Sequence, residues 1–189
     1  MTRTLTIPWP DHPLTLEEWE ALPEVEGVRL ELVEGFIAVS PYRYPRHQRA
    51  VAQLCGRLDD QIPADLIAIS GGEVVLVDQP LTIRIPDLVV LGTERYEENP
   101  PRLAAADVLL AVEVLSDGTR RVDRVLKFSE YAEAGIPQYW MVDVDEPASL
   151  LAHVLVDGAY ELSGYHAGTA SLDVAGHTVT VDLPALTRR

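Results

Sequence analysis

A chain of 189 residues, 47% hydrophobic and 24% charged, is long enough to bury a full core in one domain, and its single cysteine, Cys55, excludes an internal disulfide. Its 15 basic and 30 acidic residues leave a net charge of −15. That argues against nonspecific affinity for nucleic acid, which comes mainly from neutralising phosphates.

Prolines interrupt the N-terminal residues where a signal peptide needs an apolar run. No uninterrupted apolar stretch reaches the roughly 20 residues that span a bilayer. A cytoplasmic protein with no membrane contact is expected.

Residues 1–13 read as an irregular arm, and residues 14–189 as a single domain. Thr15-Leu16-Glu17-Glu18 has the pattern of a capping box and predicts a short helix to about Leu22. VRLELVEGFIAVS, residues 28–40, gives two extended runs about Gly35, a hairpin. Pro45 opens a helix over about 46–62, with Val51, Leu54, Cys55, Leu58 and Ile62 at helical spacing. Cys55 falls on that apolar stripe and reads as core.

Residues 73–78 and 81–91 read as strands, and the stretch from Gly92 to about Ala106, with Pro100 and Pro101, as a loop. The nearly continuous apolar run 107–115 predicts a strand buried on both faces. A turn at 116–119 leads to a helix over about 119–134, stopped by Gly135 with Pro137 beyond it. Residues 138–144 give another buried strand, and the tail 149–182 alternates short strands with glycine turns. This order predicts an α/β or α+β fold, a mixed sheet flanked by helices with extra C-terminal antiparallel strands.

Two acids stand in apolar surroundings. Glu113 lies inside Leu109-Leu110-Ala111-Val112-Glu113-Val114-Leu115, where a carboxylate is costly to desolvate without a partner or a bound cation. Asp87 sits between Ile85-Pro86 and Leu88-Val89-Val90-Leu91, and Pro86 cannot donate a ladder hydrogen bond. Two such carboxylates suit a hard divalent ion, Mg2+ or Mn2+. The other reading is a pair of strand-end acids facing solvent or capping a loop.

Lys127 is the only lysine, beside 14 arginines. Where a generic cation suffices this sequence uses arginine, so a lone lysine points to a task for a compact ammonium. The alternative is an Asp123–Lys127 pair at i,i+4, which an arginine would serve equally well. Arg43, Arg46 and Arg49 form one basic group and Arg120, Arg121, Arg124 and Lys127 another. Each group is either a local phosphate contact or ordinary solvated charge.

Asp87 after Pro86, then Glu113 in an apolar strand, resembles the Pro-Asp…(Asp/Glu)-x-Lys nuclease superfamily, except that Leu115 stands where the lysine is usual. A variant with the lysine on the following helix, the Uma-type family of bacterial restriction-endonuclease-like proteins, is a closer resemblance. It is carried by Glu31-Leu32-Val33-Glu34-Gly35, Ser40-Pro41, His47, Pro86-Asp87-Leu88, Glu113-Val114-Leu115-Ser116, Lys127 with Tyr131 and Ala134-Gly135, Tyr139-Trp140 and Val142-Asp143. It covers about residues 14–186.

The resemblance implies a restriction-endonuclease fold and metal-dependent phosphodiester hydrolysis, with DNA as the expected substrate and a homodimer as the expected assembly. It implies that Asp87 and Glu113 hold Mg2+ or Mn2+ and that Lys127 stands beside the scissile phosphate. Glu31 would be a further catalytic acid, or a hairpin acid paired with Arg29. Phe36 stands where relatives often carry another acid. His47 would contact phosphate or cap its helix, and Arg46 and Arg124 are further candidates for phosphate contact. Catalytic serine or cysteine motifs and a P-loop are absent, and the five histidines show no metal-ligand spacing. The competing reading is a module that keeps the nuclease fold without turnover and binds nucleic acid or a protein; the −15 charge favours it.

On the helix over 119–134, Val122, Val125, Leu126 and Ser129 form the stripe expected to face the sheet. Lys127 is then expected off that stripe, reaching around the helix edge to Glu113.

Overall fold

The computed structural model describes residues 10–23, 28–41, 44–115 and 125–188. Helix α1 (Leu16–Glu20) opens on the predicted capping box: the Thr15 hydroxyl accepts from the Glu18 amide at 3.3 Å, and the Glu18 carboxylate accepts from the Thr15 amide at 2.9 Å. Strands β1 (Val28–Val33) and β2 (Phe36–Pro41) form the predicted hairpin, turned by Glu34 and Gly35 at φ 51° and 83°. Two positive φ values match the turn to the strand twist. Gly35 is required twice over, because a Cβ there would lie 2.4 Å from the Cβ of Pro13.

Helix α2 (Pro45–Asp59) starts with Pro45 in its first turn, where the missing N–H costs nothing, and buries Ala50, Val51, Leu54 and Leu58. It ends three residues before the predicted limit. The amides of Gln61 and Ile62 turn back onto the Leu58 carbonyl, so Ile62 stays buried without extending the helix.

Strand β3 (Leu66–Ser70), which the sequence reading left out, is followed by β4 (Val74–Asp78), β5 (Leu81–Arg84) and β6 (Leu88–Gly92). The run 81–91, read from sequence as one strand, is therefore two, and they lie in different sheets. The break falls at Ile85-Pro86-Asp87, where Pro86 cannot continue the ladder. The expected loop after Gly92 holds a short helix, α3 (Thr93–Glu97), and a two-residue strand, β7 (Leu103–Ala104). Then come β8 (Val108–Val114), α4 (Lys127–Glu133), β9 (Gln138–Asp143), β10 (Ser149–Val156), β11 (Ala159–Ala167), β12 (Thr169–Val174) and β13 (His177–Asp182).

Three sheets result: β2-β1-β5-β4-β7, β11-β10-β9-β8-β6-β3 and β12-β13. In the six-stranded sheet β8 and β9 run parallel and the neighbouring pairs antiparallel. Alternation sorts the side chains of β6 and β8 cleanly. Leu88, Val90, Leu110, Val112 and Val114 join Leu54 and Leu58 of α2 in one core, while Val89, Leu91 and Ala111 join Tyr131 and Ala132 of α4 in another. The sheet is thus covered on both faces, and β8 is buried on both, as its apolar run predicts. Cys55 is half-buried against the first core, its thiol donating to the Ala68 carbonyl at 3.2 Å. Among the described residues no helix is long and apolar enough to cross a membrane.

Candidate active site

The same alternation places the two buried acids. The antiparallel ladder ends where Leu88 pairs with Val112, and Asp87 and Glu113 are the next residues beyond that pair. Ala111, two residues before Glu113, belongs to the α4 core, so Glu113 stands on the α4 side of the sheet. The turn at Pro86 lets the aspartate fold back onto the strand: the Val114 amide donates to Asp87 Oδ2 at 2.9 Å.

From α4, Lys127 Nζ donates to Glu113 Oε1 at 2.6 Å and lies 3.3 Å from Glu31 Oε1 of β1. The Tyr131 hydroxyl, one turn on, donates to the same Glu113 oxygen at 2.9 Å. Lys127 was expected to lie off the sheet-facing stripe; it lies on it. Lys127 is 2% exposed, whereas Val125 is 58% and Leu126 50% exposed. A wide π-type turn at Val125 and Leu126 precedes α4. Positions 127, 131 and 132, rather than 125, 126 and 129, face inward. Val122, Asp123 and Arg124, named above, lie outside the described residues, and with them the Asp123–Lys127 alternative.

Glu31 has more partners than Arg29, which lies 3.7 Å away: Arg84 Nη1 donates to its Oε2 at 3.1 Å and the Ile85 amide to its Oε1 at 3.0 Å. Arg84 also clamps Glu130 of α4 through Nε and Nη2 at 2.7 and 2.8 Å, a bidentate pair. Arg84 and Glu130 escaped the sequence reading. The signal for Arg84 was available: a charged residue in Leu81-Thr82-Ile83-Arg84-Ile85, a run as apolar as those around Asp87 and Glu113.

His47 is buried, and its Nε2 lies 3.0 Å from Asp87 Oδ2. It does not cap α2, whose N-cap residue Tyr44 makes no side-chain cap bond either. Arg46 turns elsewhere: it donates to the Val144 carbonyl at 3.0 Å and is half-exposed.

The electrostatics follow from burial and proximity. Burial pushes the Glu31 carboxyl up, but Lys127, Arg29, Arg84 and the Ile85 amide outweigh it and hold Glu31 below its ordinary value. Burial, reinforced by Glu113 and Glu31, drives the Tyr131 phenol well above its ordinary value, so it stays a donor. Burial lowers both arginines; the carboxylates outweigh it and raise Arg29 through Asp87, Glu113 and Glu31, and Arg84 through Glu130 and Glu31. The result is a buried network of fixed charges. Among the described residues no group of three or more His, Cys, Asp or Glu side chains is arranged to hold a metal ion.

Comparison with known proteins comes to the same family as the motifs. The family model of Uma2, described as "Putative restriction endonuclease", matches residues 16–184. No curated protein matches the chain. A crystal structure of "a putative nuclease belonging to DUF820" from Anabaena variabilis superposes with a TM-score of 0.72 at 19% identity, covering 93% of this chain and 98% of that one. At that identity the likeness shows a shared fold.

Proposed function

This chain belongs to the Uma2 family, and from that premise we propose that it is a divalent-metal-dependent nuclease hydrolysing phosphodiester bonds of DNA at Asp87, Glu113 and Lys127. The observation that carries the reading is Lys127, the lone lysine, buried with its ammonium 2.6 Å from Glu113 and 3.3 Å from Glu31.

The donor set fits a hard divalent ion. Two buried carboxylates supply hard oxygen ligands, and Mg2+ commonly takes one or two carboxylates, leaving its other positions to water and phosphate. A set of three protein ligands is not needed. Asp87 and Glu113 would hold the ion, which would supply Lewis acidity toward a phosphoryl oxygen and favour ionisation of water.

The chain's own residues do the rest. The Val114 amide and His47 fix Asp87 Oδ2, while Lys127 and Tyr131 both fix Glu113 Oε1. Held from two sides, neither carboxylate needs to reorganise as charge develops, and preorganisation of this kind carries much of enzymatic rate enhancement. Lys127 adds a positive charge where the pentavalent phosphate accumulates negative charge. Glu31 keeps that ammonium in place as a charged acid. His47 acts through Asp87, and Arg46, half-exposed at the start of α2, is a candidate phosphate contact. A cytoplasmic homodimer completes the proposal, since cutting both strands of a duplex takes two sites.

A second reading, a nuclease fold that binds without turnover, draws on one feature: the site is buried and neutralised by its own cations in a chain of net charge −15. Plasmid nicking with Mg2+ or Mn2+ separates the two. Wild type should nick, Asp87→Ala should not, and Lys127→Arg should lose most activity with the fold intact, because a planar fork does not fit the place of a compact ammonium. Full activity in Lys127→Arg would sink the role of Lys127. DNA binding with no nicking by wild type would favour the binding module.

A further inference from the structure

Arg29 is a cation of this cluster that the nuclease reading leaves without a task. It stands on β1 two residues before Glu31, and it faces all three acids. Its Nη1 lies 3.4 Å from Asp87 Oδ1, its Nη2 lies 3.7 Å from Glu31 Oε1, and the Glu113 charge raises its hold on its proton.

Its attachment differs from that of its neighbours. Lys127 holds Glu113 at 2.6 Å, and Arg84 grips Glu130 with the Nε–Nη2 edge of its guanidinium. The same edge of Arg29 grips nothing: Nε and Nη2 are buried and make no hydrogen bond. Among the described residues its side chain donates one hydrogen bond, from Nη1 to Asp87 Oδ1 at 3.4 Å. Buried donors without acceptors are unfavourable, so this arrangement is one the protein can leave.

Space to withdraw into is at hand: Arg29 forms one wall of a groove of about 500 Å³ bounded also by Trp19, Leu22, Pro23, Leu30 and Ile85.

We propose that Arg29 is the resident counter-cation of the acid cluster and gives way to the divalent ion, so that the chain sets its own metal affinity. The inference rests on the metal reading above. Its test is Mn2+ binding without nucleic acid, by calorimetry, on wild type, Arg29→Gln and Asp87→Ala. Removing a competing positive charge at this distance should tighten Mn2+ binding in Arg29→Gln by about tenfold or more. In wild type, phenylglyoxal modification mapped by mass spectrometry should find Arg29 protected without metal and reactive with Mn2+. That readout does not depend on a variant that folds, and an effect of field alone would not move it.

Mn2+ binding by wild type and not by Asp87→Ala, with equal or weaker binding by Arg29→Gln, leaves the metal site standing and overturns the role of Arg29. So does Arg29 reactivity that is the same with and without Mn2+. Mn2+ binding by none of the three overturns the metal reading and this inference together.

Discussion

Asp87, Glu113 and Lys127 were legible in the sequence because each breaks a local rule: an acid inside an apolar strand, an acid behind a proline, one lysine among arginines. What surrounds them was not. Arg84 and Glu31 are 53 positions apart, and Arg84 and Glu130 are 46 apart. No periodicity connects such pairs; only the packing of β1, β5 and α4 does. Arg84 therefore has a consequence that sequence alone could not give. It is 2% exposed and bridges Glu31 to Glu130, so Arg84→Met should leave two carboxylates facing the void of a lost cation. Breaking one partner of a buried pair typically costs about 3–5 kcal/mol. Urea denaturation should show a loss of that order. A loss well under about 1 kcal/mol, the range of surface ion pairs, would mean that the network is dispensable to the fold.

The elements show where local reading holds and where it fails. The capping box of α1 and the Glu34-Gly35 turn are set by neighbours in sequence, and both stand as expected. The facing of α4 is not local. It goes with what the inward face meets: carboxylates at Lys127 and Tyr131, aromatic rings at Phe128. Phe128 packs edge-on against His153 of β10, with ring centroids 5.1 Å apart, and against Tyr139 and Tyr160 at 6.2 and 5.3 Å. His153 is the titratable weak point of that contact. Burial, only partly offset by a hydrogen bond with the Tyr139 backbone, lowers its pKa below the ordinary 6.5. The unfolded chain then binds a proton that the folded one does not. His153 contributes stability fully above about pH 6.5 and loses it as pH falls through its folded value. Thermal melts from pH 8 to pH 5 should show His153→Phe declining less than wild type. Phenylalanine keeps the ring contacts and removes Nδ1, which is buried without a hydrogen-bond partner. Parallel decline in both proteins would assign the acid sensitivity to other groups.

At the scale of the whole molecule, the order of elements in sequence predicted the α+β class but not the division into sheets. That division turns on Pro86, where one apolar run crosses from the five-stranded to the six-stranded sheet. Among the described residues the six-stranded sheet also ends at β11, with Leu162 and Tyr165 57% and 63% exposed. An exposed edge strand carrying apolar side chains invites pairing, and this is where the proposed homodimer would form. Charge opposes it, because each copy carries −15. Repulsion between two such bodies is screened within about 10 Å at 0.1 M salt, whereas burial of Leu162 and Tyr165 is not weakened by salt. The dimer should therefore strengthen as ionic strength rises, opposite to an interface made of salt bridges. Light scattering after size exclusion should give twice the 20.8 kDa chain mass at high salt, and a falling mass as salt and protein are lowered. Leu162→Lys should shift the equilibrium to monomer without lowering the melting temperature of the single chain. A wild-type monomer at high micromolar concentration in high salt would rule the dimer out, and a dimer unaffected by Leu162→Lys would move the interface away from β11.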